Sequence, residues 1–368
     1  MSIRTLVADD SVLFRLVISD ALSTFPDVQV VGTAANGKLA VQKVRELKPD
    51  LLTLDLEMPE MDGLAVLDAL RESGEDTMVI VVSALTSRGG HLTMQALEKG
   101  ALDFITKPDT RGAKESREAI VKALSEKLPA LANRRAIRKI LKQPRVLTKP
   151  AVLPEKKKVA DLAHTVQVMN RLANARRPEF ILIGVSTGGP NALAQLLPAI
   201  PGNIGVPILL VQHMPPIFTK SLADSLSAKC ALKVREASHN EQVAPNTVYI
   251  APGGKQMRLA SGNGGSKIIE ITDDPPENNC KPAVDYLFRS VANKFPGGSV
   301  AVILTGMGSD GTLVLRLLKR NGCHIIAQDE ASCVVFGMPK AAIEAGIVDS
   351  VLPLDAIASR ITSLVRGS

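Results

Sequence analysis

The sequence has no tryptophan and only two tyrosines, and its four cysteines occur at isolated positions without Cys-x-x-Cys spacing. Isolated cysteines argue against a disulfide framework. The N-terminus lacks a basic region followed by a long apolar stretch, and no apolar run approaches the ~18 residues that a membrane span requires. We therefore expect a soluble, cytoplasmic protein without disulfides that is not embedded in a membrane.

The formal net charge of +7 is unevenly distributed along the 368 residues. Segment 134–177 contains thirteen Lys or Arg and two acidic residues, a net charge of +11, which leaves the rest of the chain at −4. This segment has no aromatic residue on which a nucleic acid base could stack. We therefore interpret it as a basic linker and expect no nucleic acid partner.

Short apolar runs alternate with amphipathic stretches in both halves of the chain. Such alternation is typical of an α/β fold in which helices cover both faces of a parallel sheet. The predicted strands of the first half are 5–8, 28–33, 50–54, 78–83 and 101–105. Those of the second half are 180–185, 208–212, 247–251, 300–304 and 324–328.

A helical pattern at 115–141 ends where Pro144, Pro150 and Pro154 interrupt it, and a second helical pattern follows at 159–175. The sequence therefore predicts two doubly wound parallel-sheet domains. We predict their bounds as 1–125 and 178–368, with the linker at 126–177.

Polar residues follow successive strands of the first half: Asp9, Asp10, Asp55, Ser83 and Lys107. In doubly wound sheets the carboxyl ends of the strands meet at one edge, where ligands bind. Clustered carboxylates favour Mg²⁺, and the metal would let Asp55 accept a phosphoryl group that Lys107 and Ser83 then contact. Individually, these residues could equally be helix caps and turn residues.

The stretch LEMPEMDG at 56–63, together with these strand-end residues, resembles the receiver domain of two-component response regulators. The resemblance covers about the first 110 residues and implies a flavodoxin-like fold. It implies that Asp10, Asp55 and the carbonyl group of Glu57 hold Mg²⁺, with Asp9 beside them. It also implies that Phe104 is the aromatic switch residue and that a histidine kinase supplies the phosphoryl group.

Ser186 lies in the sequence GVSTGGP at 184–190, directly after a predicted strand. A strand-to-helix turn of this kind exposes a serine nucleophile, and backbone N–H groups at the helix start, including that of Thr187, could bind an oxyanion. The same turn could instead bind an anion or simply connect two elements.

A serine nucleophile needs a base, and His213 lies at the end of the predicted strand 208–212. His239 is a rival candidate, whereas His91, His164 and His324 are typical of helix-surface, linker and strand residues. A structural role is the alternative for each histidine. Asp310 follows the strand 300–304 and is the best candidate for orienting the base. The competing carboxylates are Asp273, Asp274 and Asp285, and a helix cap is the alternative for Asp310 itself.

Six stretches resemble chemotaxis protein-glutamate methylesterases over nearly the whole chain: GVSTGGP at 184–190, QHMP at 212–215, IAPGG at 250–254, GMGSDG at 306–311, AQDEAS at 327–332 and VVFGMP at 334–339. The order Ser, His, Asp differs from that of α/β-hydrolases. The resemblance implies a Rossmann-like, cofactor-free catalytic domain with Ser186 as nucleophile, His213 as base, Asp310 as its orienting residue and Met307 as an oxyanion donor.

The resemblance further implies phosphorylation-activated hydrolysis of methyl esters on the cytoplasmic helices of methylated chemoreceptors, and deamidation of glutamines. The sequence departs from the family's usual pattern at Gln256, Ile217 and Cys280, which bears on substrate fit. A receiver-regulated DNA-binding protein or a scaffold without esterase activity is the alternative.

Overall fold

The computed structural model describes residues 2–108, 112–125, 127–128, 177–296 and 298–367. Most of the predicted linker, the end of the helix predicted at 115–141 and the helix predicted at 159–175 lie outside these residues. Among the described residues, no helix combines the length and the apolar character needed to cross a bilayer.

The N-terminal domain alternates five strands with five helices, as predicted. Its elements are β1 (Ile3–Ala8), α1 (Val12–Leu22), β2 (Val28–Ala34), α2 (Gly37–Leu47), β3 (Leu51–Asp55), α3 (Gly63–Glu72), β4 (Met78–Ser83), α4 (Ser87–Glu98), β5 (Asp103–Thr106) and α5 (Ala113–Ser125). All strand pairs are parallel, in the order β2-β1-β3-β4-β5. The central strands β3 and β4 are buried along their whole length because helices cover both faces of the sheet.

Local sequence explains where four of these helices begin. Ser11, Asn36, Asp62 and Thr86 precede α1, α2, α3 and α4, and each side-chain oxygen accepts a hydrogen bond from a backbone N–H of the first turn. The caps end each loop sharply, so the residues that follow the strands are held at one edge of the sheet.

The C-terminal domain contains all five strands predicted for it and additional ones. Its elements are β6 (Phe180–Val185), α6 (Gly189–Leu196), β7 (Ile208–Gln212), α7 (Phe218–Ser227), β8 (Lys233–Glu236), β9 (Glu241–Gln242), β10 (Thr247–Ile250), β11 (Gln256–Ser261), β12 (Lys267–Thr272), α8 (Val284–Lys294), β13 (Ser299–Ile303), α9 (Thr312–Arg320), β14 (His324–Gln328), α10 (Met338–Glu344), β15 (Ser350–Leu352) and α11 (Leu354–Arg366). Seven strands form a parallel sheet in the order β15-β14-β13-β6-β7-β10-β8.

The strand order reverses at β6, because the chain first builds one side of the sheet from β7 to β10 and then returns to add β13, β14 and β15 on the other. Such a switch point opens a crevice at the carboxyl ends of the strands. Ser186, His213 and Asp310 follow β6, β7 and β13 and therefore meet at this crevice.

The sequence did not predict a second, antiparallel sheet of three strands in the order β11-β12-β9. Its apolar side chains, including Met257, Leu259 and Ile269, pack into the same buried cluster as α8. The sheet therefore supports the loop that leads into α8 beside the crevice.

The two domains are in direct contact through α4 and β5 of the N-terminal domain and α6 and α7 of the C-terminal domain. The rings of Phe104 and Phe218 stack with centroids 4.5 Å apart. Lys229 Nζ lies 2.6 Å from Glu98 Oε1, and the Asn191 side chain donates a hydrogen bond of 3.1 Å to the Ala101 carbonyl. One continuous apolar core extends through both domains.

Candidate active site and phosphorylation site

The Ser186 turn is held by its backbone. The Ser186 carbonyl accepts hydrogen bonds from the Gln212 side chain at 2.9 Å and from the Gly189 N–H at 2.8 Å. Gly188 has φ +75°, and a Cβ there would lie 2.4 Å from Val334 Cβ. Only glycine fits this position, so the turn presents Ser186 in one orientation at the carboxyl end of β6.

His213 and Asp310 are directly paired, with Nε2 and Oδ2 2.8 Å apart. The same carboxylate accepts hydrogen bonds from the backbone N–H groups of Val284 at 2.7 Å and Asp285 at 3.1 Å, at the start of α8. A helix N-terminus stabilises negative charge, and α8 therefore holds Asp310 as an anion facing the imidazole.

The pairing shifts the pKa of each partner. Burial alone would lower the pKa of His213, but the hydrogen bond to Asp310 and the contact with Cys280 raise it to about 9. Burial raises the pKa of Asp310, whereas the hydrogen bond to His213 and the positive charge of that ring lower it, and the net effect is a lowered pKa. Both shifts favour an imidazolium–carboxylate pair when the site is at rest.

Ser186 and His213 line one cleft of about 490 Å³ that also contains Cys280 and Met307. Among the described residues, the Ser186 hydroxyl makes no hydrogen bond to the imidazole. The ring nitrogen that Asp310 leaves free, Nδ1, lies 3.6 Å from Cys280 Sγ. The structure therefore places Ser186 and His213 at one cleft, with Asp310 buried behind His213. The histidine–carboxylate bond is formed and the serine–histidine bond is open, as is common before substrate binds.

Two residues that line this cleft have backbone N–H groups available as donors. Thr187 and Met307 both line it, and within the described parts of the chain neither of their N–H groups donates a hydrogen bond. The Thr187 carbonyl, in contrast, accepts the Thr305 hydroxyl at 2.9 Å. Unpaired N–H groups at a cleft are suitable donors to an oxyanion.

Sequence reasoning missed Asn278 and the role of Gln256. The Asn278 amide donates to Asp310 at 2.8 Å and to Asp285 at 2.9 Å, and so joins two neighbouring buried carboxylates. Gln256 is fully buried, and its side chain bonds the Pro275 carbonyl and the Ala283 N–H. The sequence signal that could have identified Asn278 is weak, since it is only an Asn-Asn pair before a helix. In the structure both asparagines have positive φ.

The three competing histidines that the structure describes are not part of the cleft. His239 Nδ1 accepts a hydrogen bond from the Ile271 backbone in the antiparallel sheet. His91 is exposed on α4. His324 bonds the Ser350 hydroxyl at 3.0 Å, and burial lowers its pKa. His164 lies outside the described residues.

Of the competing carboxylates, Asp273 forms ion pairs with Lys255 and Lys281 on the surface, and Asp274 accepts a hydrogen bond from Tyr286. Asp285 belongs to the site's surroundings instead, because it lies beside Asp310 and its pKa is raised by burial and by the charge of Asp310.

In the N-terminal domain, Lys107 Nζ lies 2.8 Å from Asp55 Oδ2 and 2.9 Å from Asp9 Oδ2. The Ser83 hydroxyl donates to the Gly89 carbonyl at 3.2 Å at the start of α4. Burial raises the pKa of Asp55 to about 6, with the charge of Asp9 adding to the effect and Lys107 opposing it.

The acidic group fits a hard cation. One carboxylate oxygen from each of Asp9, Asp10 and Asp55 lies within 4.8 Å of the others. Asp9 Oδ2 contacts Lys107 but accepts no well-aligned hydrogen bond, which leaves a lone pair for a metal. This donor set of carboxylates suits Mg²⁺, as the receiver domain generally requires for phosphorylation.

The chain matches known proteins over nearly its full length. Residues 181–361 match the CheB methylesterase family, and residues 5–116 match the response regulator receiver domain. The chain is 47% identical over 367 residues to a protein-glutamate methylesterase/protein-glutamine glutaminase of Desulfotalea psychrophila, with 99% of each chain covered. A relative of the same name from Nocardioides sp. is 43% identical, with 96% of this chain and 92% of the relative covered.

The crystal structure of the Thermotoga maritima CheB methylesterase catalytic domain is similar to the C-terminal part of the chain. The TM-score is 0.50 and the identity 44%, with 52% of this chain and 100% of that chain covered. The geometry of the cleft and the extent of these matches lead to one conclusion: the chain belongs to the CheB methylesterase family and includes a receiver domain.

Proposed function

We propose that this protein removes methyl groups from methylated glutamates on the cytoplasmic helices of chemoreceptors and deamidates specific glutamines there, under control of phosphorylation at Asp55. The observation that carries the proposal is that His213, which lines one cleft with Ser186, is paired with the buried Asp310 at 2.8 Å. The proposal is supported by relatives that are named for this activity and are 43% and 47% identical to this chain over nearly its full length.

In the proposed reaction, His213 Nδ1 takes the proton of the Ser186 hydroxyl as Oγ attacks the carbonyl carbon of the ester. Nδ1 is the available base because Asp310 occupies Nε2 and holds the tautomer. The N–H groups of Thr187 and Met307 stabilise the tetrahedral oxyanion, and each such donor is typically worth about 3 kcal/mol.

The imidazolium then returns the proton to the leaving oxygen, and methanol departs. The acyl-enzyme that remains is hydrolysed by water, which His213 deprotonates in the same way. A glutamine side chain follows the same course with ammonia as the leaving group. His213 returns the proton taken from water to Ser186 Oγ as the acyl bond breaks. The product in both cases is a glutamate side chain, which loses its acid proton to solvent and remains as a carboxylate.

In the receiver domain, Asp10, Asp55 and the Glu57 carbonyl group would hold Mg²⁺, with Asp9 close by. The metal, when bound, screens the charge between the Asp55 carboxylate and the incoming phosphoryl group. Lys107 is close enough to Asp55 for its ammonium group to pair with the phosphoryl group on Asp55. A histidine kinase is the proposed phosphodonor.

Regulation is proposed to act through access to the cleft. Asp103, Phe104, Ile105 and Thr106 of the receiver domain form one wall of the cleft that contains Ser186. A receptor helix is about 10–12 Å across and needs this wall to move away. Phosphorylation would draw the Ser83 hydroxyl from the Gly89 carbonyl towards the phosphoryl group, and α4 and Phe104 would then leave α7.

Domain bounds of 1–125 and 178–368, a basic linker at 126–177 and a cytoplasmic location complete the proposal. The alternatives of a DNA-binding regulator and a scaffold without activity are discriminated by the same experiment. The assay measures methanol released from methylated receptor fragments by the full chain, by Ser186→Ala and by Asp55→Asn, each with and without a small phosphodonor.

Release that requires Ser186, and that the phosphodonor increases only when Asp55 is present, is the expected result. Equal release by the full chain with and without phosphodonor would contradict the regulatory part. No release by any folded form would leave only the family membership.

A further inference from the structure

Cys280 is in contact with the proposed base, but the esterase reaction has no use for a thiol. Its Sγ lies 3.6 Å from His213 Nδ1 and 3.4 Å from the Asn278 carbonyl. Cys280 is half-buried on the wall of the cleft. Cys280 Sγ and the His213 nitrogen proposed as the base therefore lie next to each other on the wall of the cleft.

Their separation matches that of two ligands of one zinc ion. Zinc–sulfur bonds are about 2.3 Å and zinc–nitrogen bonds about 2.0–2.1 Å, and a tetrahedral angle of about 109° between them separates the two ligand atoms by about 3.6 Å. We propose that Cys280 Sγ and His213 Nδ1 form a binding site for Zn²⁺ and similar thiophilic divalent ions, and that occupation of this site inhibits the enzyme.

The surroundings of His213 favour this role. A metal-binding histidine usually donates its second ring N–H to a carboxylate, which fixes the ring and increases the basicity of the free nitrogen. Asp310 does this at Nε2. The Asp310 carboxylate already accepts hydrogen bonds from the backbone N–H groups of Val284 and Asp285, so its role is to orient the imidazole and not to bind the metal. Water fills the remaining coordination positions of the metal.

Binding and catalysis compete for one electron pair. The metal takes the Nδ1 lone pair that would otherwise accept the Ser186 proton. On binding, the Cys280 thiol and the His213 imidazolium each release a proton to solvent, without any change of oxidation state. The inhibitory consequence rests on the function proposed above, whereas the binding itself does not. Because Cys280 and His213 supply about half of the ligands of a structural zinc site, we expect the site to be half occupied at a free Zn²⁺ concentration on the order of 10 μM.

The site differs in chemistry from the acidic group of the receiver domain. Asp9, Asp10 and Asp55 offer only oxygen ligands, which suit Mg²⁺, whereas a cysteine thiolate selects zinc and other soft ions. A signal from metal–thiolate bonding therefore reports on Cys280 even when both sites are occupied.

The test uses the full chain in excess Mg²⁺ and titrates Co²⁺, a spectroscopic substitute for Zn²⁺. We expect a thiolate-to-cobalt charge-transfer band in the near ultraviolet with a stoichiometry of one. The band should be absent in Cys280→Ala and in His213→Gln. It should be present in Cys230→Ala, because Cys230 lies three residues beyond the end of α7 and does not line the cleft. Circular dichroism verifies that each variant is folded.

In parallel, methanol release is measured with and without Zn²⁺, and each variant is compared with its own metal-free rate. We expect Zn²⁺ to lower the rate of the unaltered chain and of Cys230→Ala at least tenfold, reversibly with EDTA, and to leave the rate of Cys280→Ala within twofold. A band that persists in Cys280→Ala, or no band in the unaltered chain, would overturn the site. No methanol release without metal would refute the proposed function while the band still tests the site.

Discussion

Phe104 in β5 of the receiver domain stacks on Phe218 at the start of α7, with ring centroids 4.5 Å apart and planes inclined by 29°. Phe104 is thus a neighbour of both sites: its strand ends just before Lys107, and its own side chain lines the cleft of Ser186. Through Phe104 the proposed phosphorylation site and the proposed active site are linked without an intermediate element.

The charge pair at the domain contact should set basal activity. Glu98→Lys places two cations together at Lys229, where Nζ and Oε1 are now 2.6 Å apart. The pair is about one-third exposed, so we expect a loss of about 0.5–1 kcal/mol from the closed arrangement and a rise of about two- to fivefold in methanol release without phosphodonor. The exchange Glu98→Lys with Lys229→Glu should return the rate to that of the unaltered chain, and failure to do so would remove the pair from the closing contact.

The rate should depend on the ionisation of His213. Its pKa is raised to about 9, and the base must be neutral, so methanol release should increase as pH rises from 6.5 to 9. Asp310→Asn removes the largest opposing influence on a ring whose burial lowers its pKa, so the midpoint should move down to or below 6.5. In serine triads this change lowers the rate about 10⁴-fold. The pH profile and the NMR titration of His213 measure both effects, and an unchanged midpoint would contradict the role of Asp310.

The raised pKa of His213 should also make the stability of the folded protein depend on pH. The folded state binds the His213 proton more tightly than the unfolded chain, so this contribution is fully present below pH 6.5 and is lost as pH rises through about 9. His213→Gln should therefore lack this part of the decline in melting temperature between these pH values. Calorimetry of both chains across that range measures it.

Asn278→Asp should disturb the site more than the same change one residue away. A third carboxylate beside Asp285 and Asp310 replaces the amide that donates to both. We expect a loss of about 2–3 kcal/mol in the free energy of unfolding and at least a tenfold fall in the rate. Asn279→Asp is the matched control, since Asn279 is also at positive φ, and it should be nearly neutral. Equal effects at both positions would indicate that only the loop conformation matters.

Asp55→Asn should stabilise the receiver domain when Mg²⁺ is absent. The pKa of Asp55 is raised to about 6, so the folded state prefers the protonated form and the buried charge costs free energy at pH 7. We expect Asn to gain about 1–3 kcal/mol at pH 7, with the gain vanishing below about pH 4, where folded and unfolded chains are both protonated. Asp20→Asn, on the exposed side of α1, should change nothing. Calorimetry with EDTA measures the difference, and a loss of stability at pH 7 would contradict it.

Ile217 is strained in the native backbone. Its φ is +74°, a region that a β-branched residue rarely adopts, and it lies between His213 and α7. Ile217→Gly should raise the free energy of unfolding by about 1 kcal/mol, the strain relieved less the entropy cost of glycine. The free energy of unfolding of Ile217→Ala should lie between that of the unaltered chain and that of Ile217→Gly. A lower melting temperature for the glycine variant would mean that the Ile217 side chain contributes more by packing than its backbone loses.

Residues directly after apolar strands could be found from the sequence, because parallel strands end at a common edge. Ser186 and His213 follow β6 and β7 directly, Asp55 is the last residue of β3, and Asp310 lies in the loop after β13. The short strand β9 was missed because two residues carry no recognisable alternation, and Asn278 was missed because its role depends on two carboxylates distant in sequence. The antiparallel sheet has too little pattern of its own to distinguish it from loops.

The contact between domains was also beyond the reach of sequence patterns. Phe218 belongs to an ordinary amphipathic helix, and nothing in its spacing indicates that an aromatic ring from another domain covers it. Likewise, Gln256 and Cys280 were recognised as departures from the family's usual residues. Only the fold reveals that the Gln256 side chain bonds the backbone of the loop that carries Cys280.

Phe104, the predicted switch residue of the receiver domain, also lines the cleft of Ser186, so in the proposed regulation sensor and gate are one component. The two domains are consequently not interchangeable parts. A receiver transplanted from another regulator would keep its phosphorylation chemistry, yet it would restrain this hydrolase only if its own surface reproduced the fit to Phe218. Under the proposed regulation, the surfaces of the two domains that meet at Phe104 and Phe218 have to fit each other, whichever phosphodonor acts on Asp55.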